Sequence, residues 1–138
     1  MSTNGRILIV DDSETILSRA KAALTAAGYE VVTTSQTVGS SRYLGTSDLA
    51  IIDFHMPGLD GKDLASSMRR ALVKSSSECK LYLYTTDEAV AADYRRLGFD
   101  GSFTMKGNEK ALVDQVRAFF RMRGMMGLAA RVKKALES

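Results

Sequence analysis

A chain of 138 residues, 45% hydrophobic and 25% charged, suits one domain able to bury its own core, and no apolar run approaches the length of a membrane span. The net charge of +3 is unevenly spread: from Arg121 onward five cations stand against one acid, Glu137, so the rest is near neutral and offers no broad nucleic-acid-binding face. The single cysteine, Cys79, excludes an intrachain disulfide and a multi-cysteine metal site, and reads as a small, partly buried thiol.

The start, Met1 to Arg6, lacks the apolar segment of a secretion signal, so a cytoplasmic protein is the expectation. Short apolar runs predict strands over Arg6 to Val10, Glu30 to Thr34, Asp48 to Ile52, Lys80 to Tyr84 and Ser102 to Met105. Between them lie helical spacings. Ile16, Leu17, Ala20, Leu24 and Ala27 mark a first helix stopped by Gly28; Leu64, Met68 and Leu72 mark a second. Val90, Tyr94 and Leu97 predict a helix ending at Gly98, and Leu112, Val113, Val116, Phe119 and Phe120 one that breaks at Gly124. The Ser-, Thr- and Gly-rich stretch from Ser35 to Ser47 predicts at most a short or irregular helix. Alternation of strand and helix implies an α/β fold, a doubly wound parallel sheet with helices on both faces, and ligands then bind beyond the carboxyl ends of the strands.

Asp11 and Asp12 follow the first strand, Asp53 ends the third, Thr85 the fourth, and Lys106 follows the fifth. Asp12 alone could be a helix N-cap, Lys106 a surface charge and Thr85 a strand residue; one shared sheet edge favours a site. Three carboxylates in one crevice repel one another, and a dication relieves that; an all-oxygen set favours Mg²⁺, Mn²⁺ or Ca²⁺ over zinc. With the charge screened, one carboxylate can attack phosphorus and become an aspartyl phosphate, with Lys106 and Thr85 contacting phosphoryl oxygens.

The stretches "ILIVDDS", "DFHMPGLDG", "LYLYTTD" and "FTMKG", in that order, resemble the receiver domain of bacterial two-component response regulators from about Gly5 to Arg121. The resemblance implies the flavodoxin-like strand order 2-1-3-4-5. It implies a signalling module rather than an enzyme, with Asp53 phosphorylated by a histidine kinase or phosphotransfer protein and output through protein contact. It further implies Mg²⁺ held by Asp12, Asp53 and the backbone carbonyl of His55, with Asp11 acting largely through water. Phe103 would occupy the aromatic switch position, or simply pack in the core. The turns at Pro57-Gly58 and Asp60-Gly61 would shape the loop beside Asp53.

Three departures stand out. Gly107 replaces the proline usual after the lysine, the stretch from Gly98 to Lys106 is one residue longer than usual, which a bulge before Phe103 could absorb, and Thr86 replaces a small residue. The first two keep open a degenerate receiver, a phosphorylation-independent interaction module. A phosphatase of the haloacid dehalogenase type would want an acid where His55 stands. Residues 1–122 read as the receiver and 123–138 as a basic amphipathic tail, where Met125, Leu128 or Ala129, Val132 and Leu136 recur at helical spacing for the domain itself, a second copy or another protein. Neither nucleic acid nor a membrane is an expected partner; a downstream protein is, with a homodimer as one of the options open to the tail.

Overall fold

The computed structural model describes residues 4–35, 44–54, 61–75 and 78–137. The strands are β1 (Arg6–Val10), β2 (Glu30–Thr34), β3 (Leu49–Ile52), β4 (Lys80–Tyr84) and β5 (Gly101–Phe103); the helices are α1 (Glu14–Ala26), α2 (Gly61–Ser75), α3 (Glu88–Ala92) and α4 (Glu109–Glu137). All strand pairs are parallel, as the alternation of strand and helix implied, and the order is β2-β1-β3-β4-β5, as the resemblance implied.

Side-chain alternation along β1 divides the core in two. Ile7 and Ile9 point to the face covered by Leu17, Ala20 and Leu24 of α1 and Leu112 and Val116 of α4. Leu8 and Val10 point to the other, where Ala65, Met68 and Leu72 of α2 pack, with Val90, Tyr94 and Leu97 against them. The central strands are buried on both faces, which explains their unbroken apolar runs. Cys79 is buried and packed with this second face, and burial pushes its thiol up to about 12.

Local chemistry sets the ends of the elements. Ser13 caps α1, its hydroxyl accepting from the Ile16 amide at 3.3 Å, so Asp12 is not the cap and that role is removed from its account. Gly28, at φ 99, turns the chain out of α1. Residues 44–46 form a single 3₁₀ turn; the rest of the expected irregular helix, residues 36–43, lies outside the described residues.

Two expected helices differ. The one marked by Val90, Tyr94 and Leu97 is regular only to Ala92, because the Asp93 amide bonds to Val90 and the chain tightens into turns up to Gly98. The last helix does not break at Gly124: α4 runs 29 residues through both Gly124 and Gly127. The fifth strand also sits slightly earlier than expected. No bulge interrupts its ladder from Gly101 to Phe103, and the irregular backbone follows the strand, at Met105 (φ 59) and Gly107 (φ 96).

Candidate functional site

The register places the site. Val10 pairs with Ile52 and Ile52 with Leu83, so the chain leaves three neighbouring strands at one level. Asp11 and Asp53 each extend the ladder by one hydrogen bond, the Asp11 amide to Thr34 at 3.2 Å and the Asp53 amide to Val10 at 2.9 Å. Their side chains are therefore fixed by sheet backbone rather than carried on loose loops. Asp11 and Asp53 are buried, whereas Asp12 is exposed at the rim. The three carboxylates can each offer an oxygen within 4.8 Å of the others.

Lys106 closes the cluster. Its Nζ lies 2.7 Å from Asp11 Oδ2 and 3.2 Å from Asp53 Oδ1, with only 12% of the side chain exposed. Burial raises the Asp11 pKa above its ordinary value, and the Lys106 ammonium and the Ser13 amide, donating to Oδ1 at 2.9 Å, only partly offset this. Burial works against the Lys106 charge, yet its contacts with Asp11 and Asp53 outweigh that and hold its pKa above the usual lysine value. Among the described residues three carboxylates gather around one ammonium, an acid-rich cluster whose charge a dication with oxygen ligands would balance. The donor set fits such an ion.

Thr85 is buried where β4 ends, its Oγ1 accepting from the Asp87 amide at 3.1 Å. Asp87 in turn caps α3. Thr86 is exposed beside it. Phe103 is 3% exposed and packs on Tyr82 with ring centroids 4.6 Å apart, a core setting. His55 and the turns from Pro57 to Asp60 lie outside the described residues.

The lysine loop is held by groups that periodicity does not reveal. The Gly107 amide donates to the Tyr84 hydroxyl at 3.2 Å, while Lys106 Nζ sits 5.7 Å from the centre of the same ring. Gln115 reaches back from α4, accepting from the Thr104 amide at 2.9 Å and donating to its carbonyl at 3.0 Å. Asn108 caps α4 by accepting from the Ala111 amide. A proline at position 107 would have no amide hydrogen for Tyr84. Gly107 thus marks an alternative way of fixing the loop, for which the sequence offered only the missing proline as a signal.

Residues 7–117 match the family model described as the response regulator receiver domain. Over 69 residues, 49% of this chain, it is 33% identical to the alkaline phosphatase synthesis transcriptional regulatory protein PhoP of Bacillus subtilis, and the match spans 29% of that regulator. Among solved structures it resembles the chemotaxis response regulator CheY4 of Vibrio cholerae at 20% identity and TM-score 0.67, covering 85% of this chain and 98% of that one. A CheY-like receiver domain protein from Methanospirillum hungatei aligns at 20% identity and TM-score 0.70, covering 91% and 99% of the two chains. A receiver domain protein from Clostridium thermocellum aligns at 21% identity and TM-score 0.67, over 88% and 98%. At these identities the structural likeness concerns the fold.

Proposed function

The chain belongs to the response regulator receiver domain family, and from that premise we propose that it accepts a phosphoryl group on Asp53 from a histidine kinase or phosphotransfer protein and signals by protein contact. The observation that carries this reading is Lys106, its side chain 12% exposed and shared between Asp11 and Asp53 at the carboxyl edge of the sheet. A carboxylate oxygen of Asp53 attacks phosphorus, a P–O bond forms, and the P–N bond to the donor histidine breaks with its electron pair returning to the imidazole. Lys106 contacts a phosphoryl oxygen, and the Thr85 hydroxyl donates its hydrogen to another. Asp11, Asp12 and Asp53, with the backbone carbonyl of His55, are the groups assigned to Mg²⁺, which when bound neutralises the excess negative charge at the reacting oxygens. A cytoplasmic setting and an unidentified downstream protein belong to the same proposal.

Incubation with acetyl phosphate and Mg²⁺ tests it. The wild-type chain should gain one hydroxylamine-labile phosphoryl group by intact mass, and Asp53→Asn none. Equal labelling of both would overturn the assignment. No labelling of either, with binding to a partner retained, would support the phosphorylation-independent module instead.

A further inference from the structure

We propose that the second half of α4 is a self-association element, forming a parallel, in-register two-helix coiled coil with the same segment of a second copy of this chain. The inference does not depend on phosphorylation of Asp53. It starts from the helix running on without a break from Glu109 to Glu137, although the residues buried within it, Leu112 and Val116, all fall in its first half. Beyond them Met122, Met125, Met126, Leu128, Val132 and Leu136 are 50% to 82% exposed.

The two apolar stripes of this helix lie on opposite sides. At about 100° per residue, Leu112, Val113, Val116, Phe119 and Phe120 centre on the side that meets the domain. Met125, Ala129, Val132 and Leu136 centre roughly half a turn away. As the helix stands, the second stripe faces away from its own domain. A shallow groove lined by Met125, Leu128, Ala129, Val132, Lys133 and Leu136 runs along it.

The spacing identifies what fits there. Met122, Met125, Ala129, Val132 and Leu136 follow one another in steps of three, four, three and four, the seam of a heptad repeat, which packs against another helix carrying the same seam. Charge selects a second copy over an acidic helix. Arg123, Arg131, Lys134 and Glu137 occupy the outward positions of the heptad, away from the seam. At the flanking positions of a parallel pair, Arg121 faces the partner's Met126 and Leu128 faces the partner's Lys133, so no flanking pair joins two cations. An acidic partner would instead call for cations along both flanks. Gly124 and Gly127 also fall at outward positions, and each weakens a helix that has no packing surface, which association would supply. Little more than two heptads fall short of the roughly 800 Å² per partner of a standard stable interface. The association is therefore reversible and concentration-dependent.

Sedimentation equilibrium of the full chain over a wide concentration range tests this. The apparent mass should rise from the monomer toward twice that value, and Val132→Glu, a change at a site half exposed in the monomer, should hold it at the monomer, with an unchanged melting temperature at concentrations where the wild type is itself monomeric. Ala129→Cys should cross-link into a disulfide dimer under mild oxidation, since parallel, in-register pairing brings the two residues together. The native thiol does not compete, because Cys79 is buried. A monomer at every concentration overturns the proposal, as does a larger assembly, a dimer indifferent to Val132→Glu, or a dimer that Ala129→Cys fails to cross-link. A monomer that Val132→Glu destabilises would show the tail folding back on its own domain, which also overturns it.

Discussion

At each end of the sheet a basic side chain sits among acids, and the difference between the two lies in water. At the carboxyl end Lys106 is 12% exposed against Asp11 and Asp53 at 2% and 6%. At the amino end Arg123 of α4 donates to the Asp48 carbonyl at 3.1 Å and lies 3.4 Å from Asp48 Oδ1 and 4.0 Å from Glu78 Oε2, with side-chain exposures of 32%, 40% and 90%. The acids near Arg123 keep their hydration and ask for no further cation. Those near Lys106 have lost it, and their excess charge is what would draw a dication to that end.

The widest separation between the two ends should come from removing each cation. Lys106→Met leaves Asp11 and Asp53 buried without their ammonium and should cost about 3 kcal/mol in Mg²⁺-free buffer, the lower end of the range for breaking a buried pair because the Asp11 pKa is already raised. Arg123→Met should cost less than about 1 kcal/mol, as for other solvent-screened pairs. Urea denaturation of the two variants compares them directly; equal losses would dissolve the contrast.

Metal sharpens the contrast from the other side. A ligand bound only to the folded state stabilises it by about 2.7 kcal/mol at a hundred times its dissociation constant. Saturating Mg²⁺ should therefore raise the melting temperature of the wild type. Asp12→Asn should remove most of that rise, because it deletes the rim carboxylate of the cluster. Asp48→Asn, at the hydrated end, should leave the rise intact. A Mg²⁺ response independent of Asp12 would remove that residue from the ligand set.

The cluster at the carboxyl end was largely legible in the sequence because its parts are covalently tied to strand ends. Apolar runs of four or five residues located β1, β3 and β4, and the acids and Thr85 came with them. What escaped prediction depends on tertiary context. Gly124 reads as a helix stop, yet α4 continues through it, because an isolated glycine need not end a helix. Val90 reaches the core from the short α3, and Tyr94 and Leu97 reach it from the turns that follow, since burial constrains direction more than backbone type. Tyr84 was visible only as a strand residue. Its tie to Gly107 spans 23 positions in the chain and exists only once β5 and its loop are in place.

That tie provides the finest test of why the carboxyl end is ordered. Burial holds the Tyr84 phenol above its usual pKa, so at neutral pH it is an uncharged hydroxyl accepting from the Gly107 amide. Tyr84→Phe keeps the ring beneath Lys106 and removes only that acceptor. Gly107 is only half-buried, so water can take over its amide, and the loss of stability should be about 1 kcal/mol. The effect should concentrate in the lysine loop: faster amide exchange at Gly107, a shifted Lys106 side-chain resonance, and unchanged exchange in α2. With the loop held only through Gln115 and Thr104, Lys106 spends less time between Asp11 and Asp53, so labelling by acetyl phosphate should slow a few-fold rather than vanish as in Asp53→Asn. If Tyr84→Phe labels at the wild-type rate and its Lys106 resonance does not move, the hydroxyl is packing detail, and the salt bridges with the Gln115 tie at Thr104 hold the lysine in place.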